Sequence, residues 1–141
     1  MKNITYLIVT LILFSCEKDQ LMDEKKLLMQ KVEAFQFLSN YHHQLHVMIG
    51  EEDGDINKAY DEFSYAITNS KNIELIPIKN AFLRINTNNL NPKSDSINQL
   101  DYLVDYYQSG LSMQIEGIFR GYGHRESLEM GNIYKLYEKL K

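Results

Sequence analysis

The chain has 141 residues, a formal charge of −4, 44% hydrophobic and 24% charged residues, two Pro, no Trp and one Cys. That length fits one domain, and those fractions belong to an ordinary globular chain rather than a disordered or collagen-like one. A single Cys excludes an internal disulfide framework and a zinc site built on several thiolates, and the acidic balance gives no general attraction to nucleic acid.

The N-terminus reads as an address. Lys2 precedes an apolar run from Ile4 to Phe14, and the small Ser15 and then Cys16 close it. A basic start, a short apolar stretch and a small residue at the cut have the layout of a secretory signal. The run is shorter than the ~20 residues a bilayer span needs. Leu13-Phe14-Ser15-Cys16 resembles the lipobox of bacterial lipoproteins: Leu13, Ser15 and Cys16 match it, and Phe14 stands where a smaller residue is usual. The resemblance covers residues 1–16 alone. It implies that residues 1–15 are a cleaved signal, that the Cys16 thiol carries a diacylglycerol, and that acyl chains, palmitate among them, attach the protein to a membrane. Glu17, rather than Asp, follows the Cys. By analogy with lipoprotein sorting this favours the outer over the inner membrane of the cell envelope, with the body facing the periplasm. An ordinary signal peptide with an incidental Cys and an N-terminal anchor helix are the alternatives. Two or three acyl chains hold firmly where one binds weakly. Removing residues 1–15 takes away one cation, Lys2, and no acid, so the formal charge moves from −4 to −5. With Cys16 lipidated no thiol is left for nucleophilic or redox chemistry.

Residues 16–20 form a polar, lipidated tether, and residues 21–141 the domain. From 21 to 49 there is no Pro or Gly, and Leu27, Ala34, Leu38, Leu45 and Ile49 fall on one helical stripe flanked by Phe35 and Tyr41. Gly50 suits a helix C-terminus, and residues 51–54 a turn. Asp55 can cap a second helix to about Ser70, with Ala59, Phe63, Ala66 and Ile67 inward. Pro77 suits the first turn of a third helix reaching about Thr87, with Ile78, Ala81, Phe82 and Ile85 inward, although residues 73–78 could also be extended. Residues 88–93 are a loop by composition. Ser94 or Asp95 can cap a fourth helix with Ile97, Leu100, Leu103, Val104 and Tyr107 on its stripe. Gly110 ends that helix or sits within a longer one to Phe119, and Gly117, Gly121 and Gly123 are expected to break the chain. A last helix spans 126–140, with Leu128, Ile133, Leu136 and Leu140 as core positions. The expectation is all-α: one small antiparallel bundle of four to six helices after a cleaved signal peptide.

Four features carry potential chemistry. His42 and His46, four residues apart, share a helix face and could begin a metal site, but a closed zinc site needs about four ligands and His43 stands where a hydrolytic HExxH motif has Glu. A partly buried His with a hydrogen bond is the plainer reading, and the sequence alone assigns no metal. Asp53, Asp55 and Asn57 have the spacing of the first calcium-loop ligands, yet Lys58 and Ser64 occupy the positions that need Gly and Glu. Arg120, Tyr122, His124 and Arg125 gather among Gly117, Gly121 and Gly123, where two guanidinium forks and exposed N–H groups could hold a carboxylate, a phosphate or a partner. The plainer reading there is a helix–helix turn whose Arg residues pair with Glu116 or Glu126. Ten Tyr residues, Tyr102, Tyr106, Tyr107, Tyr134 and Tyr137 among them, suit an interface or the edge of a small bundle.

No Ser lies in a Gly-x-Ser-x-Gly setting, no catalytic constellation stands out, and no motif implies a cofactor. The reading is therefore a non-enzymatic, membrane-anchored interaction or assembly subunit of a cell-envelope protein complex, secretion systems being one such machine, with envelope proteins rather than nucleic acid as partners. An immunity-type lipoprotein that neutralises a toxin, and a small-ligand carrier or enzyme, are the alternatives.

Overall fold

Each segment that repeats an apolar residue every three or four positions has one face to bury, and five such faces meet in the structure. The computed structural model describes the backbone of residues 2–50, 55–88, 94–121 and 128–141, and the side chains of 23–47, 55–85, 97–121 and 130–141. Helix α1 spans Lys2–Gly50, α2 Ile56–Asn69, α3 Ile76–Asn88, α4 Ser94–Gly121 and α5 Leu128–Leu140. A 3-10 turn, Ile73–Leu75, leads into α3. Strands are absent among the described residues, so the chain is all-α.

Helix α1 is the central element, and its widest interface is with α4. Leu28, Val32, Ala34, Phe35, Leu38 and Leu45 are its buried side chains. Lys31 of α1 meets Gln114 of α4, and His42 meets Asp101, so the two helices run antiparallel. Helix α2 also runs antiparallel to α1, placing Phe63 against Phe37 and Tyr41 at ring separations of 6.0 and 5.3 Å. Helix α5 lies alongside α1 in the same direction, with Tyr137 against Phe35 and the Leu140 carbonyl near Ser39. Helix α3 packs on α4.

Local signals account for the element ends. The Asp55 carboxylate accepts from the Lys58 backbone N–H at 3.0 Å, as a helix N-cap does. After α2, Asn72 accepts from the Glu74 N–H at 2.9 Å and donates from its own amide to the Gln30 carbonyl of α1 at 2.8 Å. One side chain thus starts the 3-10 turn and fastens it to α1. Pro77 is the second residue of α3, where no intrahelical N–H bond is required.

Several expected core positions are placed differently. Leu27 is 40% exposed and Leu28 fully buried in its stead. Leu136 is likewise 40% exposed, and the fully buried residue of that turn is Tyr137. Ala66, Ala81, Ile85, Leu103, Tyr107 and Leu140 are half-buried. Gly110 and Gly117 do not stop the chain but lie inside the 28 residues of α4, whose last residue is Gly121. A glycine inside a helix costs only about 1 kcal/mol relative to Ala. Burial of Leu111 and Ile115 on the same turns outweighs that. Gly123, the loop from 89 to 93 and the side chains of Ile49 and Leu128 lie outside the described residues.

Lys31 is a buried cation. Its Nζ donates to Glu74 Oε2 at 2.9 Å and to Gln114 Oε1 at 2.7 Å, joining α1, the 3-10 turn and α4 at one point. Removing one partner of a desolvated ion pair leaves the other uncompensated, whereas replacing both partners by apolar side chains does not. Glu74→Ala is therefore expected to lower unfolding free energy by about 3 kcal/mol, and the double replacement Lys31→Met with Glu74→Leu by about 1 kcal/mol. Urea denaturation followed by circular dichroism measures both, and an equal loss in the two variants would contradict the buried-charge account.

Candidate functional site

Helix α4 carries three different surfaces around its circumference. Ile97, Leu100, Val104, Leu111 and Ile115 face the core. Asp101 and Asp105, one turn apart, face the polar edge of α1. Tyr102, Tyr106 and Met113 point away from the bundle and are 72%, 63% and 70% exposed. Spacings of four and seven residues put these three side chains within roughly 40° of one another at ~100° per residue, so they form one stripe. Between α3 and α4 a groove of about 380 Å³ is lined by Ile85, Asn98, Gln99, Tyr102 and Leu103, so the stripe borders a second apolar surface at its N-terminal end.

At the α1–α4 edge, His42 and His46 stand side by side as their spacing requires. Their Nε2 atoms are 3.1 Å apart and the rings meet edge-to-face. Asp101 of α4 reaches both: Oδ1 lies 3.4 Å from His42 Nε2, and Oδ2 lies 3.5 Å from His46 Nε2. Asp105 Oδ1 lies 4.0 Å from His42 Nε2. His42 is half-buried, whereas His43 and His46 are exposed. Sequence reasoning found the histidine pair but not the aspartates, because Asp101 comes from a different helix and only the fold brings it there. The presence of two Asp at the same i,i+4 spacing as the two His is the one signal that could have suggested the match.

The Gly–Arg segment is described only as far as Gly121. Tyr122, His124 and Arg125 lie outside the described residues, so their gathering with Arg120 is not part of this site. Arg120 itself is exposed, and its guanidinium lies 3.7 Å from Glu116 one turn earlier. Glu116 is a shared acceptor: Lys141 Nζ donates to the same Oε1 that the buried Tyr137 hydroxyl approaches at 3.4 Å. Tyr137 also exchanges a 2.6 Å hydrogen bond with Ser112, which satisfies a phenol sunk in the core. Asp55, the middle residue of the calcium-like spacing, is engaged as the α2 cap, and Asp53 lies outside the described residues.

Comparison with protein-family models, with curated proteins and with solved structures gives no match to this chain.

The C-terminal ion pair carries a definite pH dependence. The hydrogen bond from Lys141, reinforced by its charge, holds the Glu116 carboxyl below the usual glutamate range, and the same bond raises Lys141 above the usual lysine range. A depressed carboxyl stabilises the fold above its unfolded value and loses that contribution as pH falls through its folded value. A raised ammonium stabilises below its unfolded value and loses that contribution as pH rises through its folded value. The Tm difference between the native chain and Glu116→Gln is thus expected to be constant across neutral pH and to shrink below about pH 4. A thermal melt series over pH reads it, and a difference that persists unchanged into acid would contradict the pairing.

Proposed function

We propose that the protein is a lipid-anchored, non-enzymatic interaction subunit of a protein complex in the bacterial cell envelope, with the outer face of α4 as its docking surface. The observation that carries this reading is the stripe of Tyr102, Tyr106 and Met113, three large side chains left in solvent directly opposite a fully packed face of the same helix. Tyr and Met are favoured at protein interfaces because Tyr offers a large apolar body with a polar tip and Met a flexible apolar side chain that adapts to its partner. Asp105 is exposed on one flank of the stripe, and the chain as a whole is acidic. The partner of matching chemistry is an envelope protein that presents apolar pockets rimmed by Lys or Arg.

The lipobox-like Cys16 supports attachment through acyl chains, and among the described residues no helix is long and apolar enough to cross a membrane. Cys16 lies within the α1 helix, and the first buried side chain described after it is Leu28. The intervening helix is about 18 Å long at ~1.5 Å per residue, and would serve as a short stalk between lipid and bundle. Asp23, Glu24, Lys26 and Leu27 on that stretch are exposed, as a stalk requires.

Two measurements test the reading. Cys16→Ser is expected to abolish acyl labelling and to move the protein from the membrane to the soluble fraction; unchanged labelling rejects the anchor. A photoreactive residue in place of Tyr106 is expected to cross-link one envelope protein in cells, with the yield lowered about tenfold by Tyr102→Ala with Met113→Ala. The same probe in place of Tyr65, which is 75% exposed on α2, is expected to give no such product. Equal cross-linking from both positions, or none from either, rejects α4 as the docking face.

A further inference from the structure

We propose that His42, His46 and Asp101 form an interhelical site for a divalent transition-metal ion, with zinc the closest fit. The three residues each offer one ligand atom, and these atoms all lie within 4.8 Å of one another. Their closest approaches are 3.1 Å between the two Nε2 atoms, 3.4 Å from His42 to Asp101 and 3.5 Å from His46 to Asp101. Two ligands bound tetrahedrally to one ion at ~2.0–2.1 Å stand about 3.3–3.4 Å apart. The two approaches to Asp101 go to its two different oxygens, so a small turn of the carboxylate toward the second histidine brings the three side chains to three corners of a zinc tetrahedron.

The polar inventory points the same way. Asp101 Oδ1 is buried and makes no hydrogen bond among the described residues, although a carboxylate oxygen out of water needs a donor or a cation. In the tautomers that carry the hydrogen on Nδ1, the two facing Nε2 atoms present lone pairs that converge with that oxygen. A bound cation satisfies all three at once. Imidazole with a single carboxylate suits zinc, copper or nickel, whereas calcium and magnesium take all-oxygen shells. Asp105, more exposed and 4.0 Å from His42 Nε2, stands where a small side-chain rotation would supply a fourth ligand, and water would otherwise complete the shell. The ligands come from two facing helices, which is how bundle proteins build metal sites. Because His42 and Asp101 belong to different helices, an ion here binds the folded chain alone and raises its melting temperature. The proposal does not rest on the docking stripe.

The test uses the untagged, full-length mature protein in detergent, titrated with Zn²⁺ against a chromogenic chelator and melted with and without the metal. One ion per chain is expected, with a Tm rise of about 5–10 °C at saturating zinc. His46→Gln and Asp101→Asn are each expected to weaken binding at least tenfold, while His43→Gln, one residue off the site, leaves it unchanged. Co²⁺ is expected to give the visible absorption of a tetrahedral complex, and Mg²⁺ and Ca²⁺ no Tm shift. His46 is exposed, so its variant keeps the fold and decides the matter even where Asp101→Asn does not fold. Absence of saturable zinc binding overturns the proposal. Equal loss in His43→Gln does the same.

Discussion

The fold turns on one buried ammonium. Lys31 sits on the apolar face of α1 between Leu28 and Val32, and its charge is met by Glu74 from the 3-10 turn and by Gln114 from α4. An ammonium held by acceptors on two other elements constrains geometry by distance as well as by contact. The apolar neighbours can slide by a fraction of a side chain, but the ammonium must keep its acceptors within about 3 Å. That requirement sets the height at which α4 crosses α1 and the direction in which the chain returns after α2. Asn72 supplements it from two residues away by tying the same turn to the Gln30 carbonyl. Eleven residues on from Lys31, the seam closes a second time through His42 and Asp101, so the antiparallel α1–α4 pair is polar at two heights and packed by Leu and Val between them.

Much of this was legible in the sequence because helical periodicity is a strong signal. Asp55 caps where a cap was expected, Pro77 opens α3, and Ala59, Phe63, Ile67, Ile78, Phe82, Ile97, Leu100, Val104 and Ile133 are buried as their spacing predicts. The misplacements have identifiable causes. Leu27 lies at nearly the same angle around α1 as Leu45, but periodicity gives direction and not the length of whatever packs there, and the cover at Leu45 does not extend to Leu27. On α5 the choice of Leu136 over Tyr137 followed hydrophobicity, which penalises a phenol. Ser112 removes the penalty by hydrogen bonding the hydroxyl, and the ring then fills more of the core than Leu would, against Phe35 at 5.3 Å and Phe119 at 6.3 Å. Gly117 reads as a breaker, yet a single glycine costs a helix only about 1 kcal/mol and does not stop it. A Cβ at that position would meet nothing within 4 Å, so no close approach explains the glycine.

The candidate site was half legible for a related reason. A histidine pair at i,i+4 is a local pattern and needs only a helix, whereas its carboxylate partner is non-local. The chain holds 19 acidic residues, so matching His42 and His46 to Asp101 requires the register of α1 on α4. Lys31 contributes to that register through Gln114, and its residue type alone gives no sign of it. The most informative residue of the fold was thus the one whose type gave the least reason to select it. The Tyr-rich segment shows the converse. Tyr102, Tyr106 and Tyr107 were visible as a group, but only the rotation of α4 separates the first two, which face solvent, from the third, which joins the edge of the core.

Asp101 and Asp105 alternate with Tyr102 and Tyr106 along the same two turns of α4, about 100° apart around the axis. The acidic pair looks toward α1 and the aromatic pair away from it. Whatever joins the histidines to Asp101, a proton or a metal ion, therefore acts on the helix that presents the stripe. A cross-link from α1 removes freedom of α4 to rotate about its own axis, and that rotation is the motion that would bury or displace Tyr102 and Tyr106. Docking needs a rigid stripe if ordering is not to consume the contact energy. The Asp101–His42 contact and the packing of the fully buried Leu100 and Val104 both hold the helix in this rotation. The polar edge and the aromatic face are in this sense two sides of one structural device, with the first holding the second in position.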